Sequence, residues 1–194
     1  KIIVKDQIVN AELEIYEYNM KSHVTKFSNE ILNTWFNNMT SHVVDMFFNI
    51  IGKPKELDTE HHGIGTLDWH PKCSIFSGNG TTDKNIQFKY YGDWNKNGKW
   101  KIKLFLNSGK ILEFQPLEDL KIIDNTNTSI INREEIDIKY KPGFYRQTET
   151  FLSNEDNLKT IEEQYYDYIN VYNKISNYQQ KYNVMIIGTG NIGF

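Results

Sequence analysis

The stretch Thr34-Trp35-Phe36-Asn37-Asn38-Met39-Thr40-Ser41-His42-Val43-Val44-Asp45-Met46-Phe47-Phe48-Asn49-Ile50-Ile51, closed by Gly52, decides how the rest of this chain is read. Apolar residues at 35, 36, 39, 43, 46, 47 and 50 recur at helical spacing, which predicts one amphipathic helix over residues 34–51. Gly52 gives the C-terminal stop, and Pro54 just beyond it prevents continuation. The opposite stripe holds Asn38, His42, Asp45 and Asn49, which the spacing i, i+4, i+7, i+11 places on one face. A stripe facing open water normally carries Lys and Glu, yet Asp45 is the sole formal charge between Thr34 and Ile51. Neutral hydrogen-bonding groups in that place point to a cleft wall. His42 is the one side chain there whose ordinary pKa suits proton transfer near neutrality.

A lone histidine on a helix is most often structural, so this reading needs support from elsewhere in the chain. The stripe gives no transition-metal signal, because one imidazole with two amides is not a ligand set. Composition narrows the field further. The 194 residues fit one sizeable domain, alone or with a fragment of another, and no apolar run approaches the ~20 residues of a membrane span. The net charge of -3 is mild, with basic residues scattered singly, which argues against nucleic acid or a membrane surface as partner. Cys73 is the single cysteine, so no intrachain disulfide forms, and a reducing, cytoplasmic compartment is expected.

Working outward from the helix, residues 1–18 read as strand and residues 20–32 as a polar loop. Strand-like runs follow at 55–67, 73–76, 85–91, 99–106, 111–114 and 120–123. Gly78-Asn79-Gly80 and Asn107-Ser108-Gly109-Lys110 read as turns, and residues 92–98 as the link of a hairpin. Connections this short make the strands largely antiparallel. Residues 125–132 are polar without period and read as a loop. Helical patterns return at 144–152 and 157–178. The expected fold is α+β: one mostly antiparallel sheet with helices packed on one face.

At the end of the chain Val184-Met185-Ile186-Ile187 reads as a buried strand, followed at once by Gly188-Thr189-Gly190-Asn191-Ile192-Gly193. This is G-x-G-x-x-G directly after a strand, the first turn of a dinucleotide-binding fold. Gly188 permits the tight turn, Gly190 lets a pyrophosphate approach the backbone, and Gly193 allows close helix–strand packing. The helix and the acidic residue that complete such a unit would fall past Phe194.

Helix, sheet and glycine motif together resemble the Gfo/Idh/MocA family of NAD(P)-dependent sugar oxidoreductases. The resemblance covers residues 1–176 and rests on Asn38-Met39-Thr40-Ser41-His42-Val43-Val44-Asp45, Gly52-Lys53-Pro54 and Leu106-Asn107-Ser108-Gly109. It continues in Gln115-Pro116-Leu117-Glu118, Tyr140-Lys141-Pro142-Gly143-Phe144-Tyr145-Arg146-Gln147 and Thr160-Ile161-Glu162-Glu163-Gln164. It implies an α+β substrate-binding and oligomerisation domain of the family's C-terminal type, with NAD or NADP as cofactor and a sugar or nucleotide sugar as substrate. It also implies a homo-oligomer formed through the sheet face. Phe88, Tyr90 and Trp100, on alternate sheet positions, suit such a face, and core packing explains them equally well.

In the family the helix often reads D-x-x-x-H, with the histidine transferring a proton beside the sugar. His42 matches; Asn38 stands where the acid would be, so no carboxylate tunes the imidazole from that position. Asn38, Asp45, Lys141, Tyr145 and Arg146 are the expected sugar-positioning residues. The family's catalytic lysine, in an E-K-P motif, has no counterpart here.

The order of parts is unusual, since the glycine motif follows the α+β domain. Residues 177–183 read as a linker and 184–194 as the opening of an incomplete Rossmann domain, so the sequence reads as a piece of something longer. A tandem fusion whose second unit opens near Lys181 accounts for this best; circular permutation and an assembly artefact are the alternatives. The competing function is a non-catalytic interaction module that uses its sheet face.

Overall fold

The structure, a computed structural model, describes residues 6–17, 26–70, 72–153 and 158–177. The inner strand β1 (Ile8–Tyr16) alternates in burial: Ala11, Leu13 and Ile15 are buried, while Glu12 and Glu14 turn to the other face. The further strands are β2 (Pro54–His62), β3 (Ile75–Thr82), β4 (Gln87–Asp93), β5 (Lys101–Leu106), β6 (Ile111–Phe114), β7 (Leu120–Asp124) and β8 (Asn127–Ile131). They form one sheet in the order β2-β3-β4-β1-β5-β6-β7-β8. β1 runs parallel to β4 and antiparallel to β5, and the remaining pairs are antiparallel.

The helices are α1 (Asn29–Asn33), α2 (Ser41–Ile51), α3 (Glu135–Lys139), α4 (Phe144–Leu152), α5 (Ile161–Asp167) and α6 (Asn173–Ser176). Two turns of π-helix join them, Phe36–Thr40 before α2 and Tyr168–Tyr172 between α5 and α6. Val43, Val44, Phe47 and Ile51 of α2 share one core with Leu13, Ile15, Phe88, Ile102 and Leu104 of the sheet, and with Val171, Tyr172 and Ile175 from the C-terminal helical segment. The fold is therefore α+β with the helical core on one face of the sheet, as the patterning predicts.

The other face is a charge ladder. Lys89, Glu12, Lys103, Glu113 and Lys121 lie in register across β4, β1, β5, β6 and β7. Ion pairs join Lys89 to Glu12 at 2.9 Å, Lys103 to Glu113 at 3.7 Å and Lys121 to Glu113 at 3.3 Å. Alternation of sign across neighbouring strands is the stabilising arrangement for such rows. Phe88 and Tyr90 sit on the opposite, helix-covered face, each 3% exposed, and half-buried Trp100 donates to the Glu17 carboxylate. The aromatics expected on an oligomer face are therefore packing residues.

Several element boundaries differ from the sequence reading. Helix begins already at Asn29, inside the expected loop, and Thr34 (φ -107°, ψ 20°) then interrupts it. The expected hairpin across residues 92–98 does not pair its arms, because β1 inserts between β4 and β5. Gly78-Asn79-Gly80 is not a turn but the middle of β3: a Cβ on Gly80 would collide with the Glu56 carbonyl and the Phe88 ring, and one on Gly78 with the Asp58 carbonyl and the Tyr90 hydroxyl. The expected loop at 125–132 contains β8, whose residues are all exposed and so carry no alternation to read. Residues 1–5 and the glycine segment 184–194 lie outside the described residues, as does most of the expected linker.

Candidate functional site

His42 stands near the start of α2, exposed, and forms no hydrogen bond or ion pair with any described residue. The face behind it is fixed by buried Val43, Val44, Phe47 and Ile51, so the helix holds the imidazole outward on a rigid base. Asn38 is also exposed and donates to Thr34 Oγ1 at 2.9 Å. An exposed imidazole can accept or deliver a proton at a bound hydroxyl.

Asp45, one turn further, is already committed to the fold. Its Oδ1 takes an ion pair from Lys159 and a hydrogen bond from the Tyr172 hydroxyl at 3.0 Å, while Asn49 donates to Oδ2 at 3.3 Å. Lys159 also binds Asp167 Oδ2 at 2.6 Å. Burial works against the Lys159 charge, but the bonds to Asp167 and Asp45 and their charges outweigh it and raise its pKa above the usual value. Burial, then the Asp45 charge, pushes the Tyr172 phenol up, so it stays a donor. The cluster borders a cavity of about 30 Å³ with Lys53, Pro54 and Val171. Asp45 thus joins α2 to the C-terminal helices.

Beneath the start of α2 lies Glu17, 4% exposed. Trp35 Nε1 donates to it at 2.6 Å, Thr40 Oγ1 at 2.8 Å and Trp100 Nε1 at 3.0 Å. Burial raises its pKa, and these three donors act against that rise. Trp35 and Thr40 are five residues apart and reach the same carboxylate. That is the repeat of a π-turn, and the backbone between them adopts one. The same rule holds at the other end: Asp167 and Tyr172, also five apart, meet the Asp45–Lys159 pair across the second π-turn. The two π-turns touch each other.

Lys141, Tyr145 and Arg146 are not brought to this helix by any contact among the described residues. Lys141 lies 4.6 Å over the Phe144 ring, and Tyr145 stacks on Tyr140 at 5.7 Å. Arg146 pairs with Glu149 at 2.9 Å and Glu134 at 3.1 Å, which raise its pKa in that order. All these partners lie within residues 134–149. Gly188, Gly190 and Gly193 fall outside the described residues. Among the described residues no group of three or more His, Cys, Asp or Glu could hold a metal ion, and no helix is long and apolar enough to cross a membrane.

The sequence reading missed Glu17, Lys159, Asp167 and Tyr172 as polar partners. Asp167 carried a usable signal: with Val171 and Ile175 it continues the buried stripe at i, i+4, i+8, where a carboxylate demands a counter-charge. Glu17 carried the same kind of signal, because it extends the alternation that buries Leu13 and Ile15.

No family profile matches the chain, and no curated protein matches it. Solved structures do. A dehydrogenase (MviM) from Clostridium difficile aligns with a TM-score of 0.58 at 15% identity, over 76% of this chain and 46% of that one. An oxidoreductase from Erwinia carotovora atroseptica aligns at 0.55 and 6% identity, over 79% and 50%. Scyllo-inositol dehydrogenase from Lactobacillus casei, solved with NAD(H) and scyllo-inositol, aligns at 0.50 and 10% identity, over 81% and 50%. The chain spans about half the length of these proteins. At such identities the likeness is one of fold: this chain has the α+β fold of the C-terminal domain of Gfo/Idh/MocA-type dehydrogenases.

Proposed function

We propose that residues 1–176 are the substrate domain of an oxidoreductase that moves a hydride between NAD(P) and a hydroxyl or ketone carbon of a sugar or nucleotide sugar. The observation that carries this reading is His42: exposed, bonded to no described residue, and held on a helix whose other face is locked to the sheet of a dehydrogenase-type fold. A bound nicotinamide would supply hydride acceptance from the carbinol carbon. His42 would take the hydroxyl proton, so that hydride and proton leave together and the alcohol becomes a ketone. Asn38, four positions before His42 and also exposed, would offer its amide to a neighbouring hydroxyl. Asp45 serves through the Asn49 and Lys159 edge of its cluster, where polar groups border open space. Lys141, Tyr145 and Arg146 supply sugar contacts from the segment that carries α3 and α4.

The cofactor does not fit the described residues, whose sheet has one parallel pair and no strand–glycine turn–helix unit. Its pyrophosphate belongs with Gly188, Gly190 and Gly193 in 184–194, or with a nucleotide domain outside the chain, reached through the linker 177–183. The buried free thiol of Cys73 suits a reducing cytoplasm.

The test is His42→Ala in the intact oxidoreductase, assayed with NAD(P) against a panel of sugars. We expect kcat to fall by about two to four orders of magnitude, with KM little changed. Unaltered kcat at every pH would remove His42 from the reaction.

The charge ladder on the open sheet face favours a second reading, an interaction module that pairs with another copy of the chain. Such a module shows no cofactor-dependent turnover even when joined to a nucleotide domain.

A further inference from the structure

Away from His42, four polar groups converge where the end of α6 meets the sheet. Asn37 Oδ1, His70 Nδ1, Trp94 Nε1 and Ser176 Oγ are buried and find no hydrogen-bond partner among the described residues. All four residues line one cavity, with Thr34, Phe36 and Phe76 among the other walls. His70, Trp94 and Ser176 are 4%, 2% and 7% exposed, so bulk water does not satisfy them. Buried polar groups left unpaired are rare in folded proteins. Their gathering at one cavity indicates a shared occupant.

The donor and acceptor count identifies its chemistry. Asn37 Oδ1 only accepts, and the Trp94 indole N–H only donates. Burial depresses the His70 pKa and keeps the imidazole neutral, so one ring nitrogen donates and the other accepts. The Ser176 hydroxyl can do either. One fixed acceptor, one fixed donor and two adaptable groups match the two hydrogens and two lone pairs of a water molecule. An anion would face the Asn37 carbonyl, and a cation would face the indole N–H. The space that admits the centre of a water-sized sphere is ≈ 10 Å³, which is room for one such molecule.

We infer that this junction is a binding site for a single internal water, which accepts from Trp94, donates to Asn37 and completes its bonds with the His70 imidazole and the Ser176 hydroxyl. Through it the first π-turn, the loop before β3, the residue after β4 and the end of α6 are joined. The same helix end is held directly as well: His61 Nε2 donates to Lys174 O at 2.8 Å and Ile175 O at 3.1 Å, and the Cys73 thiol donates to Ser176 O at 3.1 Å. The water completes a contact that these bonds position.

The test uses the full chain of 194 residues in solution. Nuclear Overhauser spectra should give a cross-peak between the Trp94 indole proton and a long-lived water, absent for exposed side-chain N–H groups. Ser176→Ala, which deletes one hydroxyl, should lower the urea midpoint and speed exchange of the Trp94 indole proton by about tenfold. Were the Ser176 hydroxyl merely unpaired, its removal would leave stability unchanged or raise it. Absence of the water cross-peak in the unaltered protein, or an unchanged or raised midpoint in Ser176→Ala, overturns the site as assigned. The first measurement needs no variant, so it stands even if the substitution prevents folding.

Discussion

At the scale of single residues, the groups that matter most here are buried and ionisable. Burial depresses the His70 pKa from 6.5 to about 4, so the folded protein resists a proton that the unfolded chain accepts. Above pH 6.5 the neutral ring costs nothing; as pH falls from 6.5 towards 4 the unfolded state gains protons and stability drops, levelling below 4. The loss is at most about 3 kcal/mol. Glu17 works in the opposite sense: its raised pKa lets the folded state take up a proton first on acidification. Cys73, whose thiol burial pushes up, stays neutral throughout. To isolate His70, unfolding free energies of the protein and of His70→Gln are compared between pH 7 and 4. The protein should lose stability relative to the variant across that window, and parallel curves would contradict the assignment.

At the scale of elements, two polar clusters decide backbone geometry. Each π-turn exists where side chains five apart must reach one charged group, Glu17 for the first and the Asp45–Lys159 pair for the second. Lys159→Met would leave Asp45 and Asp167 facing each other without a counter-charge. It should cost about 2 kcal/mol, the partial exposure of the cluster having been discounted. Asp45→Asn keeps the Lys159–Asp167 pair and an acceptor for Tyr172, so it should cost below about 1 kcal/mol. Urea denaturation of both variants checks the order; equal losses would mean that Lys159 does not anchor the C-terminal helices.

β3 gives a second prediction at this scale. Gly80→Ala places a methyl against the Glu56 carbonyl and the Phe88 ring, so it should destabilise by about 2 kcal/mol or more, through forced separation of β2 from β3. A midpoint within error of the parent would show that the strands yield freely.

At the scale of the whole molecule, the sheet has a packed face and a charged face, and neither forms a nucleotide pocket among the described residues. Isothermal titration of NAD into the 194-residue chain should therefore show no micromolar binding. Heat consistent with such affinity would mean that residues 184–194 complete a cofactor site with the rest of the chain.

The sequence by itself determined the α+β class, the amphipathic helix over the sheet, α4 to the residue, the Gly52 stop and the likeness to the dehydrogenase family's C-terminal domain. These follow from local periodicity and from turn chemistry, which a linear pattern records. Only the tertiary structure decided that β1 separates β4 from β5, that Gly78 and Gly80 admit neighbouring strands, and that Asp45 is bonded to Lys159 and Tyr172 while His42 bonds none of the described residues. Each depends on partners far along the chain: Asp45 and Tyr172 are 127 positions apart. Residue spacing reports which face a side chain occupies. It does not report what is packed against that face, and that is where the charges of this domain find their roles.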